Sequence, residues 1–349
     1  MKRIHKRAIL LSVLAIFLAV LLLMICLLWP VVRSAVSVKK LEDGLYSMEY
    51  RGDYGLDDFL AEGGKISDMA VADFVIDRLF HGLVDLNLQS RPFGCSTLSV
   101  SSPEGGQLFG RNFDWGACST LIVQTQPKNG YASISTVNMD FLSLGLNLSE
   151  NTFVRLMSAA APYAPMDGMN EKGLCVAVLM IEDRPGFDQN TEKPDLTTTT
   201  AVRLLLDKAE NVEEALTLLE QYDLHASAGM MVHFAIADAS GRSVAVEYID
   251  NEMSVVETPI VTNFYLTPGE KNGVGTEESH RRYEILSETF HPSMTMDEVR
   301  DAMNSVSKHN FDSVFASTEW SIVFDQSSGE TRYYHRENFE KSYSFRVGQ

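Results

Sequence analysis

The patterning of this chain predicts an α+β fold of layered antiparallel sheets, preceded by a single transmembrane helix. Three observations carry this expectation. Strand-like runs are followed by helical stretches and then by strands again, without the βαβ alternation of a parallel sheet. The chain opens with a basic tip joined to a long apolar run. The stretch from Phe93 to Trp115 reads as a hairpin, with a turn at Ser101 to Gly106 between two strand-like runs.

The basic tip holds Lys2, Arg3, Lys6 and Arg7, and the apolar run extends from Ala8 to Val32. About 25 residues of helix span roughly 37 Å, more than the ~30 Å hydrocarbon core. A cleaved signal peptide has an apolar region of only about 7–15 residues. Arg33-Ser34-Ala35 is also a poor cleavage site, and Ile25 before Cys26 argues against a lipobox. Residues 1–33 are therefore expected to form a cytoplasmic basic tip and an uncleaved signal anchor. The charge excess at the N-terminal end places the rest on the extracytoplasmic side of the cell membrane, in a single pass.

Residues 34–94 are expected to be a helical linker or pro-segment, because Met69, Val71, Phe74, Val75, Leu79 and Leu83 recur at helical spacing. Beyond the hairpin, residues 120–125 and 131–137 read as strands. The turn-rich Asp167 to Leu174 leads into the buried run Cys175 to Ile181. Helices are expected at 201–208 and 212–222, then strands at 233–237, 243–249, 253–256 and 260–265. Two helices, 278–289 and 296–306, precede final strands at 320–325, 330–335 and 341–347.

Composition narrows the function. The 349 residues are 45% hydrophobic and 22% charged, as in a folded globular protein. A net charge of -18 argues against nucleic-acid binding, which needs a basic surface. Cys26, Cys95, Cys118 and Cys175 are too scattered for a disulfide scaffold, and no Cys/His spacing suggests zinc. No metal and no cofactor are predicted, and there is no GxSxG, Walker loop or GxGxxG. The hairpin holds the chemistry. Antiparallel pairing brings Cys95 near Arg111 and Asp114, and a neighbouring guanidinium lowers a thiol pKa. On the hairpin alone, a buried structural Cys beside a charge pair is the competing reading.

Four segments together resemble the choloylglycine hydrolases and penicillin V acylases, linear amide C–N hydrolases of the N-terminal-nucleophile superfamily. Cys95 is followed sixteen residues later by Arg111 in Gly110-Arg111-Asn112-Phe113-Asp114, the family's own separation. Asp167-Gly168-Met169-Asn170-Glu171-Lys172-Gly173-Leu174 is similar to its DGxNExGL turn. Val261-Thr262-Asn263 resembles its LTN segment, and Arg282-Tyr283 its Arg before an aromatic. The resemblance covers roughly 93–349. The segment between Asn263 and Arg282 is shorter than in bile salt hydrolases, so Arg281 competes with Arg282. Residues 1–92 have no counterpart in those enzymes.

The resemblance implies a four-layer αββα sandwich in an amide hydrolase domain at 95–349. It implies hydrolysis of a linear, non-peptide amide in a small acyl-amide substrate. Autocatalytic cleavage at Gly94-Cys95 would free Cys95 as the N-terminal nucleophile, and its amine would serve as base. Asp114 would orient that amine, and Arg111 would favour the thiolate. Asn263 and the backbone N–H of Met180 would form the oxyanion hole, with Arg282 as a further site residue. An acyltransferase on the same residues is the alternative, and a non-catalytic anchored binding ectodomain a weaker one. The sequence leaves the acyl group and homo-oligomer formation open.

Overall fold

The computed structural model describes residues 12–15, 17–18, 28–80, 94–142, 152–309, 317–336 and 338–348. The anchor expected over 1–33 lies for the most part outside them. Among the described residues no helix is long and apolar enough to cross a membrane.

In chain order, β1 (Lys39–Glu42) and β2 (Leu45–Arg51) come before the hairpin of β3 (Gly94–Ser101) and β4 (Gln107–Trp115). Then follow β5 (Thr120–Gln126), β6 (Ser133–Asn138), β7 (Asp167–Asn170) and β8 (Cys175–Met180). A short parallel pair, β9 (Asp195–Thr197) and β10 (Asp223–His225), was not anticipated from the sequence. The remainder are β11 (Val232–Ala237), β12 (Ser243–Ile249), β13 (Glu252–Glu257), β14 (Ile260–Val261), β15 (Ser317–Asp325), β16 (Glu330–His335) and β17 (Ser342–Arg346). They build a nine-stranded sheet, β1-β2-β5-β6-β7-β8-β11-β12-β13, and a six-stranded sheet, β14-β3-β4-β15-β16-β17. Within these two sheets every neighbouring pair is antiparallel except β2 with β5.

The two sheets face each other, and alternation along each strand decides which layer a side chain joins. On β4, Phe109, Phe113 and Trp115 turn to the space between the sheets, where Trp320, Phe324, Met169 and Leu179 also lie. Leu108 turns the other way, joining Leu98, Val100, Leu286, Val299 and Met303 under the helices Glu277–Thr289 and Met296–Ser305. Gly110 lies on that helix side. A Cβ there would stand 2.8 Å from Val299 Cγ1, so glycine lets the helix approach the strand. The helix Thr198–Lys208 covers the outer face of the nine-stranded sheet; a Cβ on Gly168 would meet Leu206 at 2.8 Å. The layers are helix, sheet, sheet, helix.

Two expectations need correction. The expected helical segment is not helical throughout its described residues, 34–80: β1 and β2 extend the nine-stranded sheet, and β2 pairs with β5 over seven registered positions. Leu45, Tyr46, Met48 and Tyr50 are all buried. A strand buried on both faces shows no polar alternation, and its partner lies some seventy residues away, so no local signal marks it. Helices do follow, at Leu56–Ala61 and Asp68–Val75. Phe59 and Phe74 from them meet edge to face at 5.2 Å, and Phe59 meets Tyr163 at 5.8 Å. The second correction concerns 260–265, where the strand stops at Val261. Asn263 leaves the ladder because its backbone N–H donates to Ser279 Oγ at 2.6 Å.

Candidate active site

The hairpin register fixes the first three residues. Gly94 pairs with Asp114, Cys95 with Phe113 and Thr97 with Arg111. Cys95 and Arg111 therefore share the inter-sheet face as diagonal neighbours, where the guanidinium acts to pull the thiol pKa down. Arg111 is fully buried. Its Nε donates to Asp167 Oδ2 at 3.3 Å, Nη1 to the Asn112 carbonyl at 2.7 Å and Nη2 to the Val178 carbonyl at 2.8 Å. Asp167 Oδ2 also accepts Trp320 Nε1 at 2.9 Å. Trp320 stacks on Phe113 at 3.9 Å, which packs this face tightly beneath the sulfur.

Asp114 points to the helix side. Its Oδ1 accepts Thr318 Oγ1 at 2.6 Å. Its Oδ2 is buried and has no hydrogen-bond donor among the described residues; Arg282 Nη1 and Lys308 Nζ stand 3.6 and 3.9 Å away. A Cβ on Gly94 would lie 2.9 Å from that same oxygen and 3.1 Å from Lys308 Nζ. Residue 94 is thus a glycine because the charged groups leave no room for a side chain.

Asn263 and Arg282 clasp the backbone of Cys95. The Cys95 N–H donates to Asn263 Oδ1 at 2.7 Å. Arg282 donates through Nη2 to the same Oδ1 at 2.7 Å, and through Nη1 to the Cys95 carbonyl at 2.5 Å and Ser96 Oγ at 2.7 Å. Arg282 is buried on the inner face of its helix, whereas Arg281 is exposed. Asn263 Nδ2 donates to the Met180 carbonyl at 2.6 Å. In an antiparallel strand the N–H and C=O of one residue point to the same side, so the Met180 N–H also faces Asn263.

One electrostatic expectation is reversed. Burial pushes the Cys95 thiol above its ordinary pKa, and the attraction of Arg111 offsets this only in part. Burial likewise raises Asp167 despite Arg111 beside it. In the intact chain the sulfur is therefore held as a thiol.

The fold thus brings Gly94, Cys95, Arg111, Asp114, Met180, Asn263 and Arg282 to one place. Asn170 serves the fold: its side chain bonds Leu206 O, Ala209 O and the N–H groups of Lys172 and Leu174, locking the turn into β8. Cys118 and Cys175 are buried free thiols. Sequence reasoning missed Thr318, Lys308 and Ser279, and it gave Asp167 no role beyond its turn. Asp167 opens a recognised motif, so an acid facing Arg111 was within reach. Thr318 lies 204 residues from its partner, and no local signal marks it.

A family model described as linear amide C-N hydrolases, choloylglycine hydrolase family, matches residues 95–264. A penicillin V acylase of Pectobacterium atrosepticum is 29% identical over 99 residues, 26% of this chain and 26% of that protein. The match therefore spans about a quarter of that relative's length. Two solved structures of a conjugated bile acid hydrolase from Clostridium perfringens, both variants, align with TM-scores of 0.53 at 17% and 16% identity. They cover 72% of this chain and 92% of theirs. That likeness is one of fold, an α+β arrangement with antiparallel sheets. From Cys95 to Phe264, this chain is similar to the linear amide C-N hydrolases of the choloylglycine hydrolase family.

Proposed function

We propose that this protein hydrolyses a linear amide through Cys95 as an N-terminal nucleophile, after cutting its own chain at Gly94-Cys95. One observation carries the reading: the peptide joining these residues lies between Asn263, Arg282 and a buried Asp114 oxygen that no donor among the described residues occupies. In the cut, Cys95 Sγ attacks the Gly94 carbonyl carbon. The C–N bond breaks, and the nitrogen takes the thiol proton to become an amine. Water then hydrolyses the Gly94 thioester, leaving a Gly94 carboxylate and a free Cys95.

The new amine needs partners, and the groups around it suit the need. Asn263 Oδ1 already accepts from the Cys95 nitrogen, and Asp114 Oδ2 lies against the position Gly94 vacates. An α-amine has a reference pKa of about 7.7–8.0, so near neutrality a fraction is free to take the thiol proton. The thiolate attacks the substrate carbonyl and forms an acyl-enzyme, the amine returns its proton to the leaving nitrogen, and water completes the turnover. The Met180 N–H and Asn263 Nδ2 would stabilise the oxyanion, such a donor being worth ~3 kcal/mol. Before the cut the nitrogen is an amide and no base. With the thiol held above its ordinary pKa, the uncut chain is expected to be inactive.

The same reading places residues 1–33 as a single-pass anchor and the hydrolase domain outside the cytoplasm. Intact mass and amide hydrolysis, compared between the wild-type protein and Cys95→Ala, test the chemistry. The wild type should appear as two fragments, the second beginning at Cys95, and should turn over amides. Cys95→Ala should stay whole and inactive. Full amidase activity in Cys95→Ala would overturn the mechanism.

A further inference from the structure

Asn263 lies beyond Val261, where β14 ends, so its backbone is held from outside the ladder. Its side chain must still be placed closely, with Oδ1 at the Cys95 nitrogen and Nδ2 beside Met180. Two side chains do the holding. The Asn263 N–H donates to Ser279 Oγ at 2.6 Å, and the Thr262 carbonyl accepts His233 Nε2 at 2.6 Å. That carbonyl and that N–H belong to one planar peptide unit, so Ser279 and His233 grip its two edges. Thr262 Oγ1 adds a third hold, donating to the Ser279 carbonyl at 3.1 Å.

His233 is fully buried on β11, opposite Leu179. Phe234 pairs with Val246 on β12, and the next antiparallel step sets His233 beside Glu247, which is equally buried. His233 Nδ1 faces Glu247 Oε1 at 3.1 Å. Glu247 also accepts the Leu266 N–H through Oε1 at 2.8 Å and the Thr267 N–H through Oε2 at 2.9 Å. Burial raises the Glu247 carboxyl, but His233 and these donors outweigh it and hold the group below its ordinary value. Both neighbours of the imidazole are therefore acceptors, and a ring with a single N–H could serve only one of them. The ring meets both as the imidazolium. The pair staples the loop twice, at Thr262 through His233 and at Leu266 and Thr267 through Glu247.

We propose that His233, backed by Glu247, is a positioning residue for amide hydrolysis. It fixes the Thr262–Asn263 peptide, and through it the Asn263 amide that serves both the Cys95 nitrogen and the oxyanion. The proposal rests on the amide-hydrolase reading and adds the pair that sets its oxyanion donor. The hydrogen bonds of His233 and Glu247 end at Thr262, Leu266 and Thr267, so their effect on the reaction passes through Asn263.

The test uses the full chain, with penicillin V and N-dodecanoylglycine as amide probes. His233→Asn keeps a donor near the Nδ1 position and leaves Thr262 without one; His233→Gln reaches the Nε2 position. His233→Asn should lower kcat by about tenfold to a hundredfold and leave KM within about threefold, because a displaced donor is felt most in the transition state. His233→Gln should come back to within about threefold of the wild type. An unchanged kcat in His233→Asn, or an equal loss in both variants, would overturn the proposal. Ser279→Ala releases the other edge of the same peptide and covers the case in which the His233 variants fail to fold. It should show the same loss in kcat rather than KM, and an unchanged kcat would overturn the proposal as well. Hydrogen exchange separates this proposal from the underlying reading. In the Cys95→Ala background, exchange of the segment 261–266 should quicken by about tenfold with His233→Asn and hold steady with His233→Gln. No change with His233→Asn would sink the positioning role. Faster exchange, in a protein whose wild type hydrolyses no amide, would sink the hydrolase reading while the hold on the Asn263 loop stood.

Discussion

The two faces of β4 treat their charges differently. Arg111, on the inter-sheet face, is held by a carboxylate and two backbone carbonyls, one at each of its three nitrogens. Asp114, three residues on, faces the helices with one oxygen held by Thr318 and the other without a donor among the described residues. A saturated group can position its neighbours but has little left to give a reacting one. A buried carboxylate oxygen with no donor costs stability, and such groups are rare enough to call for a reason. On the self-cleavage reading, the reason is the amine that cleavage would create beside it.

Four substitutions break or sharpen this contrast. Arg111→Met should cost the most stability, about 3–5 kcal/mol, because it takes from the buried Asp167 its ion-pair partner between the sheets. Urea unfolding reads this, and a loss below about 1 kcal/mol would show that the pair is not needed. Asn263→Ala should cut kcat by roughly 10²–10³, with a smaller effect on unfolding. Asp114→Asn should separate the faces most cleanly. Activity should fall by about 10²-fold or more while the unfolding midpoint changes little, since the oxygen that is replaced accepts no hydrogen bond among the described residues. A large fall in stability with little change in kcat would reverse the roles assigned to the two residues.

The smallest effect lies beside the site. Glu319 is buried on β15, accepts the Cys118 N–H at 3.2 Å and faces Arg336 Nε at 3.5 Å. Burial pushes its carboxyl from 4.5 up to about 7. Below pH 4.5 both folded and unfolded chains hold the proton. Between pH 4.5 and 7 only the unfolded chain releases it, so stability falls as pH rises through this window. Glu319→Gln should remove that fall, a difference of about 2–3 kcal/mol above pH 7. Tm measured at both ends of the window checks it; parallel pH profiles for the two proteins would argue against a shifted Glu319.

What the sequence made legible follows from how local each contact is. Cys95, Arg111 and Asp114 were readable because one hairpin carries all three and its register sets their meeting. The helix starts were readable from caps such as Thr295 with Glu298, whose reciprocal bonds close the first turn of Met296–Ser305. The strand β2 was not readable, because both of its faces are buried and its partner β5 is distant. The thiol's charge state was misjudged for a related reason. Arg111 is visible beside Cys95 in sequence terms, but the sheet that buries them both comes from residues far along the chain.

That distance has a consequence for the order in which the protein is made. β3 and β4 leave the ribosome together, yet the free edge of β4 is closed by β15, which begins at Ser317, about two hundred residues later. Thr318, which holds one oxygen of Asp114, arrives on that strand. On the self-cleavage reading, a nascent chain carries its thiol and its scissile bond until β15 is made, without the surroundings that join them in reaction. Synthesis of β15 would then license activation, and a chain broken off before Ser317 would keep its Gly94–Cys95 bond.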